Sequence, residues 1–253
     1  MGVRVCDFET TTTEEDCRVW AWAKVDVDTL QETCGTDIDG FMESILNQTQ
    51  TLYFHNLKFD GNFIVYWLMT HDYQWRSGKD ERGKRENLPP RTFTTCISDM
   101  GAWYSITIQS PLGDYDTSYR IEIRDSLKII PLGVEEIPGA YGLADEAKGS
   151  IDYKAAREKG HVLTPEEKDY VLSDARIVAK AVAILFKNGQ NKLTAASNAL
   201  HDFKKRFSKK DYERLFPALS AEDDELIRKT YKGGWTFRKS HLPQPRNRGR
   251  FRI

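Results

Sequence analysis

The sequence lacks the features of membrane proteins and of disulfide-rich secreted proteins. Its 253 residues contain no run of about 18 apolar residues, so no membrane-spanning helix is expected. The N-terminus does not show the charged, apolar and small-residue regions of a signal peptide. No C-x-x-C pair occurs among the four cysteines, Cys6, Cys17, Cys34 and Cys96. We therefore expect a cytoplasmic protein with reduced thiols and without a zinc site.

The C-terminal part lacks acidic residues. No Asp or Glu occurs from Leu226 to Ile253, although this segment contains nine Lys and Arg residues. Because the net charge of the chain is -1, residues 1–225 carry about -10 after these nine charges are subtracted. An acidic body with a basic end indicates a nucleic acid or another polyanion as the partner of that end. A flexible solubilising terminus is the alternative.

Hydrophobic periodicity predicts an α/β protein with a mixed β-sheet flanked by helices. The predicted strands are residues 3–10, 17–27, 51–54, 92–98, 102–109 and 119–125. The predicted helices are residues 37–47, 60–70, 131–141, 164–187, 193–207 and 221–231. Residues 76–91 are charged and contain Gly and Pro, which is typical of an exposed loop. A domain boundary is predicted near Gly189, where the long helix ends at Asn188-Gly189.

Two acids stand at the end of the first strand. Side chains two positions apart on a strand point to the same face, so Asp7 and Glu9 are predicted to lie side by side. Their mutual repulsion requires an offsetting charge. A solvated strand end is one interpretation, and a divalent metal site is the other if further ligands exist.

Further acids occur in two predicted helices. Asp60 opens one helix, where it is either an N-cap or a metal ligand. Tyr170 and Asp174 are four residues apart on another helix and therefore share a face. Together with Asp7 and Glu9, these acids give four carboxylates, which match the charge of two divalent cations. Oxygen ligands favour magnesium or manganese, and two such ions are suited to phosphodiester hydrolysis.

The acidic motifs and the segments around them resemble those of one enzyme family. The segments are DFETT at 7–11, LYFHNLKFDG at 52–61, DSLK at 125–128, KGSIDY at 148–153, TPEE at 164–167 and YKGG at 231–234. In this order they resemble the N-terminal 3′–5′ exonuclease part of protein-primed family B DNA polymerases of small tailed phages. The resemblance implies an RNase H-like (DEDD exonuclease) domain over residues 1–189 and a helical extension over 190–237. Residues 238–253 would then form a basic, flexible tail.

The resemblance also implies roles for individual residues. The four acids would bind two Mg²⁺ or Mn²⁺ ions, Tyr170 would orient the attacking water, and Lys148 would assist near the scissile phosphate. Positions that match single-stranded DNA contacts are Thr10, Asn56, Phe59, Ser126, Leu127 and Tyr153, with Tyr53, His55 and Phe63 near the strand or a priming protein. The YKGG segment, with Tyr231, Gly233 and Gly234, would be a linker that contacts DNA. For Lys148 a solvated surface position is the alternative, and for Phe59 and Leu127 it is core packing.

Polymerase activity is not expected, because the sequence has no acidic residue after Glu225 to supply the palm carboxylates that bind the nucleotide metals. The expected function is a metal-dependent 3′–5′ exodeoxyribonuclease that acts on single-stranded 3′ ends. Two alternatives remain open: a non-catalytic relic that binds DNA or a terminal or replication protein, and an exoribonuclease. The resemblance also implies a phage or prophage protein in a bacterial host.

Overall fold

Eight strands form one mixed sheet in the computed structural model, which describes residues 2–12, 15–78, 87–112, 118–143 and 157–230. The strands are β1 Gly2–Thr12, β2 Cys17–Asp26, β3 Glu32–Gly35, β4 Gln50–Phe54, β5 Gln74–Trp75, β6 Thr92–Ile97, β7 Trp103–Pro111 and β8 Ser118–Asp125. Their order across the sheet is β3-β2-β1-β4-β8-β7-β6-β5. β1, β4 and β8 run parallel, whereas β2 and β7 are antiparallel to their neighbours β1 and β8.

The three parallel strands bring their carboxyl ends to one edge of the sheet. Cys6 of β1 pairs with Phe54 of β4, and Phe54 pairs with Asp125 of β8. The residues that follow these pairs therefore meet at the same edge. Ligand sites of α/β proteins form at the carboxyl ends of parallel strands.

Seven α-helices accompany the sheet in the described part of the chain. They are α1 Ile38–Ile45, α2 Leu57–Thr70, α3 Ile137–Tyr141, α4 Pro165–Lys187, α5 Ala195–Lys204, α6 Lys209–Leu215 and α7 Ala221–Thr230. Short 3₁₀ turns occupy Ser126–Lys128 and Val134–Glu136. None of the helices in these ranges is both long and apolar enough to cross a membrane.

The sheet separates two hydrophobic cores. On one face, β1 contributes Val5 to a core with the apolar side of α4, including Ile177 and Val178. On the other face, Cys6 and Phe8 pack with residues of α1 and α2. The alternation of β1 continues from Val5 to Asp7 and Glu9 and places both acids on one face, as predicted, and this face is the one that packs against α4.

Helix α4 begins where its sequence predicts. Thr164 is the N-cap, and its hydroxyl accepts the backbone N–H of Glu167, while the Glu167 carboxylate accepts the N–H of Thr164. The same carboxylate binds Arg157 at 2.9 Å and His161 at 2.6 Å, and the Arg157 guanidinium lies 4.2 Å from the Trp20 ring centre. Desolvation raises the pKa of Glu167, but these hydrogen bonds outweigh it and hold the pKa below its usual value.

Replacing Glu167 with Gln is expected to lower the free energy of unfolding by about 2–3 kcal/mol at neutral pH, because the buried Arg157 then loses the carboxylate that binds its Nε. A depressed carboxylate pKa contributes stability above pH 4.5, and this contribution is lost as the pH falls through the folded-state pKa. The difference between the two proteins should therefore shrink in acid. Urea unfolding at pH 7 and at pH 4 measures it. The neighbouring exposed Glu166→Gln is the control, and an equal loss in both variants would contradict the prediction.

The structure corrects several predicted elements. Strands β3 and β5 were not predicted, because four and two residues carry too little periodicity. Helix α6 was also missed. The predicted helix over residues 131–141 is a 3₁₀ turn followed by α3, whose first turn contains Pro138. Helix α2 begins at Leu57 with Asn56 as N-cap, so Asp60 lies inside its first turn and is not the N-cap.

A second compact unit begins at Leu200, and its described part ends at Thr230. Its described aromatic side chains form a cluster with ring centres 5.1 to 6.5 Å apart, which consists of Phe203, Phe207, Tyr212 and Phe216. The two compact units divide between Ala199 and Leu200, and the domain boundary near Gly189 stays a prediction. The buried side chain of Asn198 in α5 accepts the N–H of Lys192 at 2.9 Å, which ties the loop after α4 to α5.

Candidate active site

Asp7 lies at the centre of a group of acids. It is half-buried on the α4 face of β1, two residues before Glu9. Burial raises the pKa of Asp7 well above its usual value, and the charges of Asp60, Glu9 and Asp174 raise it further. The fold therefore brings all four sequence-predicted acids close enough to repel one another.

Asp60 is the most deeply buried of the four acids. Only 3% of the Asp60 surface is exposed, and Asp60 Oδ1 has no hydrogen-bond partner in the described structure. Burial raises the pKa of Asp60 to about 8, although backbone N–H groups of Asp60 and Phe8 act in the opposite direction. The nearby carboxylates of Glu9 and Asp125 add to the increase. A buried carboxylate oxygen without a donor costs free energy unless a cation or a proton binds it.

Gly61 allows α2 to carry Asp60 close to the sheet. A Cβ at this position would lie 2.7 Å from the Trp103 ring, which is shorter than any ordinary contact. We expect Gly61→Ala to lower the free energy of unfolding by about 1–3 kcal/mol through overpacking. Because the clash would displace Asp60, an activity that depends on the acids should fall as well. Thermal melts and activity assays below the melting temperature test this, with Gly139→Ala, whose Cβ meets nothing within 4 Å, as the control.

Helix α4 supplies Tyr170 and Asp174 from one face. Tyr170 is buried, with 7% of its surface exposed, and Asp174 is half-buried one turn later. A cavity of about 130 Å³ lies beside the acids, lined by Val5, Cys6, Asp7, His55, Val134, Asp174, Ala175 and Val178. The i and i+4 spacing therefore places the tyrosine and the acid as predicted.

The donor set fits hard divalent cations. All four candidate ligands are carboxylates, and Asp60 Oδ1 is buried without a donor. Among the described residues, however, no three His, Cys, Asp or Glu side chains already form a group that could hold a metal ion. The acids are thus close enough to affect the pKa of Asp7 but are not arranged as a complete set of metal ligands. Magnesium and manganese are the ions that carboxylate ligands prefer.

Asp125 is a member of the site that sequence reasoning did not single out. It ends β8 and is only 2% exposed. Its Oδ1 accepts the backbone N–H of Asn56 at 3.1 Å and that of Leu127 at 3.0 Å, and Oδ2 lies 3.3 Å from Lys128 Nζ. The available signal was its place in the DSLK segment, an acid at the carboxyl end of a strand.

His55 is held by protein groups on both ring nitrogens. Nε2 lies 2.8 Å from the Leu132 carbonyl, and Nδ1 lies 3.0 Å from the Ser126 hydroxyl. Burial lowers the pKa of His55, while the Leu132 carbonyl and nearby acids counteract this effect. A carbonyl oxygen can only accept, so His55 Nε2 carries a hydrogen and donates it to Leu132.

The predicted DNA contacts fall into two groups. Asn56 and Phe59 are exposed next to the acids, Thr10 follows Glu9 directly, and Phe63 packs edge-on against Phe59 with ring centres 5.9 Å apart. Asn56 and Phe59 are thus exposed to solvent, and Thr10 and Phe63 are half-buried beside them or beside the acids.

Other predicted contacts are used inside the protein. Tyr53 is fully buried and packs against Phe186, and Ser126 is fully buried with its hydroxyl 3.1 Å from the Phe54 carbonyl. Leu127 is half-buried. The structure therefore engages the Tyr53 ring and the Ser126 hydroxyl in internal contacts, and their contacts with DNA stay predictions. The remaining predicted residues lie outside the described ranges: Lys148, Tyr153, Tyr231, Gly233 and Gly234.

A family model and individual relatives both match this chain to DNA polymerases. The sequence model of "DNA polymerase type B, organellar and viral" matches residues 42–162 and 156–243. The DNA polymerase of Bacillus phage Nf is 42% identical over 233 residues, which is 92% of this chain and 39% of that polymerase. The DNA polymerase of Streptococcus phage Cp-1 is 33% identical over 262 residues, 96% of this chain and 40% of that protein. The chain thus spans about two fifths of the length of these relatives.

Solved structures agree with this result. Phi29 DNA polymerase complexed with single-stranded DNA superimposes with a TM-score of 0.80 at 38% identity, covering 93% of this chain and 40% of that one. The orthorhombic crystal form of the same polymerase gives a TM-score of 0.82 and covers 92% and 40%. The α/β fold is therefore RNase H-like, as the sequence predicts. The chain belongs to the type B DNA polymerases of organellar and viral origin, and it corresponds to the N-terminal exonuclease domain of a protein-primed member.

Proposed function

We propose that this chain is a metal-dependent 3′–5′ exonuclease that hydrolyses single-stranded DNA from its 3′ end and releases nucleoside monophosphates. The observation that carries the proposal is the buried Asp60 oxygen without a partner, inside a group of acids that raises the pKa of Asp7. Such a group is unfavourable in the absence of cations and becomes favourable when they bind. The family relationship supports a nuclease-type domain.

In this proposal Asp7, Glu9, Asp60 and Asp174 hold two Mg²⁺ or Mn²⁺ ions. When bound, the ions supply electrostatic stabilisation to the attacking and leaving oxygens of the phosphodiester. The hydroxyl of Tyr170 orients the attacking water from the α4 face. Lys148 offsets negative charge near the scissile phosphate.

The DNA-binding side of the proposal rests on exposed groups beside the acids. Phe59 is 46% exposed, immediately before Asp60 in α2, so its ring can stack on a terminal base without sequence preference. Asn56 is exposed at the start of the same helix, where an amide can bind phosphate or sugar oxygens. Two of the matched solved structures are phi29 DNA polymerase with single-stranded and with primer-template DNA, which favours a DNA substrate for this chain.

Incubation with a 5′-labelled single strand and Mg²⁺ tests the proposal. We expect a ladder that shortens from the 3′ end and stops on addition of EDTA, whereas Asp7→Ala and Asp174→Ala leave the strand intact. Salt-dependent DNA binding by wild type without degradation above these variants would instead favour a non-catalytic binding module. The rates of hydrolysis of an RNA strand and a DNA strand of the same sequence distinguish an exoribonuclease from an exodeoxyribonuclease, because only RNA carries the 2′-hydroxyl.

A further inference from the structure

We propose that Asp125 is a positioning residue of the nuclease site, which holds the connection between β4 and α2 and through it sets the place of Asp60. This inference rests on the proposed function. Asp125 is 2% exposed and contacts three groups from two different segments. Unlike the four candidate ligands, Asp125 accepts the N–H of the residue that joins β4 to α2, the helix that carries Asp60.

The connection that Asp125 holds is short and strained. Residues 55–56 join β4 to α2, and Asn56 adopts a left-handed conformation with φ 69° and ψ 53°. A non-glycine residue in this region costs about 1 kcal/mol or more and needs support from its surroundings. The support comes from Asp125 Oδ1, which accepts the Asn56 N–H at 3.1 Å.

The position of Asn56 affects the position of Asp60 through the first turn of α2. The carbonyl of Asn56 accepts the N–H of Phe59 at 3.0 Å in the first turn of α2, and Asp60 is the next residue. A shift of Asn56 therefore displaces the turn that carries both the exposed Phe59 ring and the Asp60 carboxylate. The neighbouring Ser126 hydroxyl adds a second link to the Phe54 carbonyl at 3.1 Å.

The same contacts argue against a direct metal-binding role for Asp125. Both oxygens already have partners, since Oδ1 binds two backbone N–H groups and Oδ2 pairs with Lys128 Nζ at 3.3 Å. This differs from Asp60, whose Oδ1 has none. Lys128 also offsets the charge of Asp125, which would otherwise add to the repulsion in the acid group.

Asp26 provides a matched control, because its carboxylate also accepts two backbone N–H groups and pairs with a cation but is not among the charges that act on Asp7 or Asp60. Its Oδ1 accepts the N–H groups of Asp28 at 3.1 Å and Thr29 at 3.0 Å after β2, and its Oδ2 lies 3.6 Å from Arg4 Nε. Asp26→Ala and Asp125→Ala thus each remove a carboxylate that binds two backbone groups and one cation. Only the second is expected to affect the nuclease site.

The experiment measures kcat and KM on a single-stranded 3′ end together with hydrogen exchange of residues 54–61. We expect Asp125→Ala to reduce kcat about 30-fold or more at a temperature where it remains folded, and to accelerate exchange in this segment. Asp125→Asn keeps an oxygen that can accept the two N–H groups, so it should recover kcat to within about fivefold of wild type. Asp26→Ala should keep kcat within about twofold and leave exchange of residues 54–61 unchanged.

Each remaining outcome decides the proposal. An Asp125→Ala variant that melts earlier but keeps wild-type kcat would overturn it, and so would a loss of kcat without faster exchange. Hydrogen exchange can be measured whether or not the protein is active. An inactive wild type would therefore refute only the nuclease proposal, and unchanged exchange in Asp125→Ala would refute the positioning role of Asp125. If the Ala variant does not fold, Asp125→Ser replaces it. Its hydroxyl is too short to reach Asn56, so it should show the same faster exchange.

Discussion

Asp60→Asn is expected to abolish nuclease activity and to make the metal-free protein more stable. Removal of one ligand charge should slow hydrolysis at least about 10³-fold, equivalent to about 4 kcal/mol of transition-state stabilisation. In EDTA the same change removes a buried charge with an unpartnered oxygen. The gain in the free energy of unfolding should be about 1–3 kcal/mol at pH 8, or roughly 2–4 °C in melting temperature per kcal/mol.

The pH dependence of this gain has a definite sign. Burial raises the pKa of Asp60 from 3.8 to about 8, so the folded protein favours the protonated carboxyl. The contribution of Asp60 to stability is therefore full below pH 4 and is lost as the pH rises through about 8. The melting-temperature difference between Asp60→Asn and wild type should grow over this range in EDTA. Mn²⁺ should reverse it by stabilising wild type more than the variant.

Asp26→Asn is the control of opposite sign. Burial alone would raise the pKa of Asp26, but hydrogen bonds from Thr29 and Asp28 and the charge of Arg4 lower it. Replacing Asp26 should therefore destabilise the protein fully above pH 3.8, and this effect should shrink as the pH falls through the lowered folded-state pKa. An Asp60→Asn variant that melts below wild type in EDTA at pH 8 would contradict the account of Asp60 as an uncompensated buried charge.

Tyr170→Phe is expected to slow turnover about 10²-fold, within the range that a positioned proton-handling group contributes. The ring is buried against the core, so its apolar contacts survive the loss of the hydroxyl. The four carboxylates remain, and the Mn²⁺-induced rise in melting temperature should stay close to that of wild type. Steady-state kinetics and thermal melts with and without Mn²⁺ measure the two effects separately.

Tyr73→Phe provides the matched control for Tyr170→Phe. Tyr73 is also a buried tyrosine, but its hydroxyl lies 3.5 Å from Ser110 Oγ, at the other end of the sheet from the acids. We expect this variant to keep full activity. Near-wild-type turnover in Tyr170→Phe would remove Tyr170 from the catalytic set, and loss of the Mn²⁺ effect would assign it to metal binding instead.

Local sequence patterns predicted the elements that present the site. The alternation of β1 placed Asp7 and Glu9 on one face, and the capping box of Thr164 and Glu167 fixed the start of α4. The four-residue spacing of Tyr170 and Asp174 then followed from helical geometry. These features depend on neighbours within a few residues, so the sequence alone contains the information.

Residue roles that depend on burial were predicted less well. Tyr53 matches a DNA-contact position, and the structure adds that its ring is buried against Phe186, because β4 is an interior strand of the sheet. Asp60 was weighed as an N-cap, whereas the helix begins three residues earlier and carries it inside. Short elements such as β5 form only because a longer neighbour, β6, is present to pair with them.

The sequence by itself determined the strand and helix that carry the acids, the family and the RNase H-like fold. Only the tertiary structure decided how strongly the acids interact and what supports them. The pairing of β4 with β8 sets Asp125 beside Asn56, which is 69 residues away in the chain. Burial then leaves one Asp60 oxygen without a partner. Electrostatic repulsion and desolvation depend on distances in space, and no local sequence pattern specifies these distances.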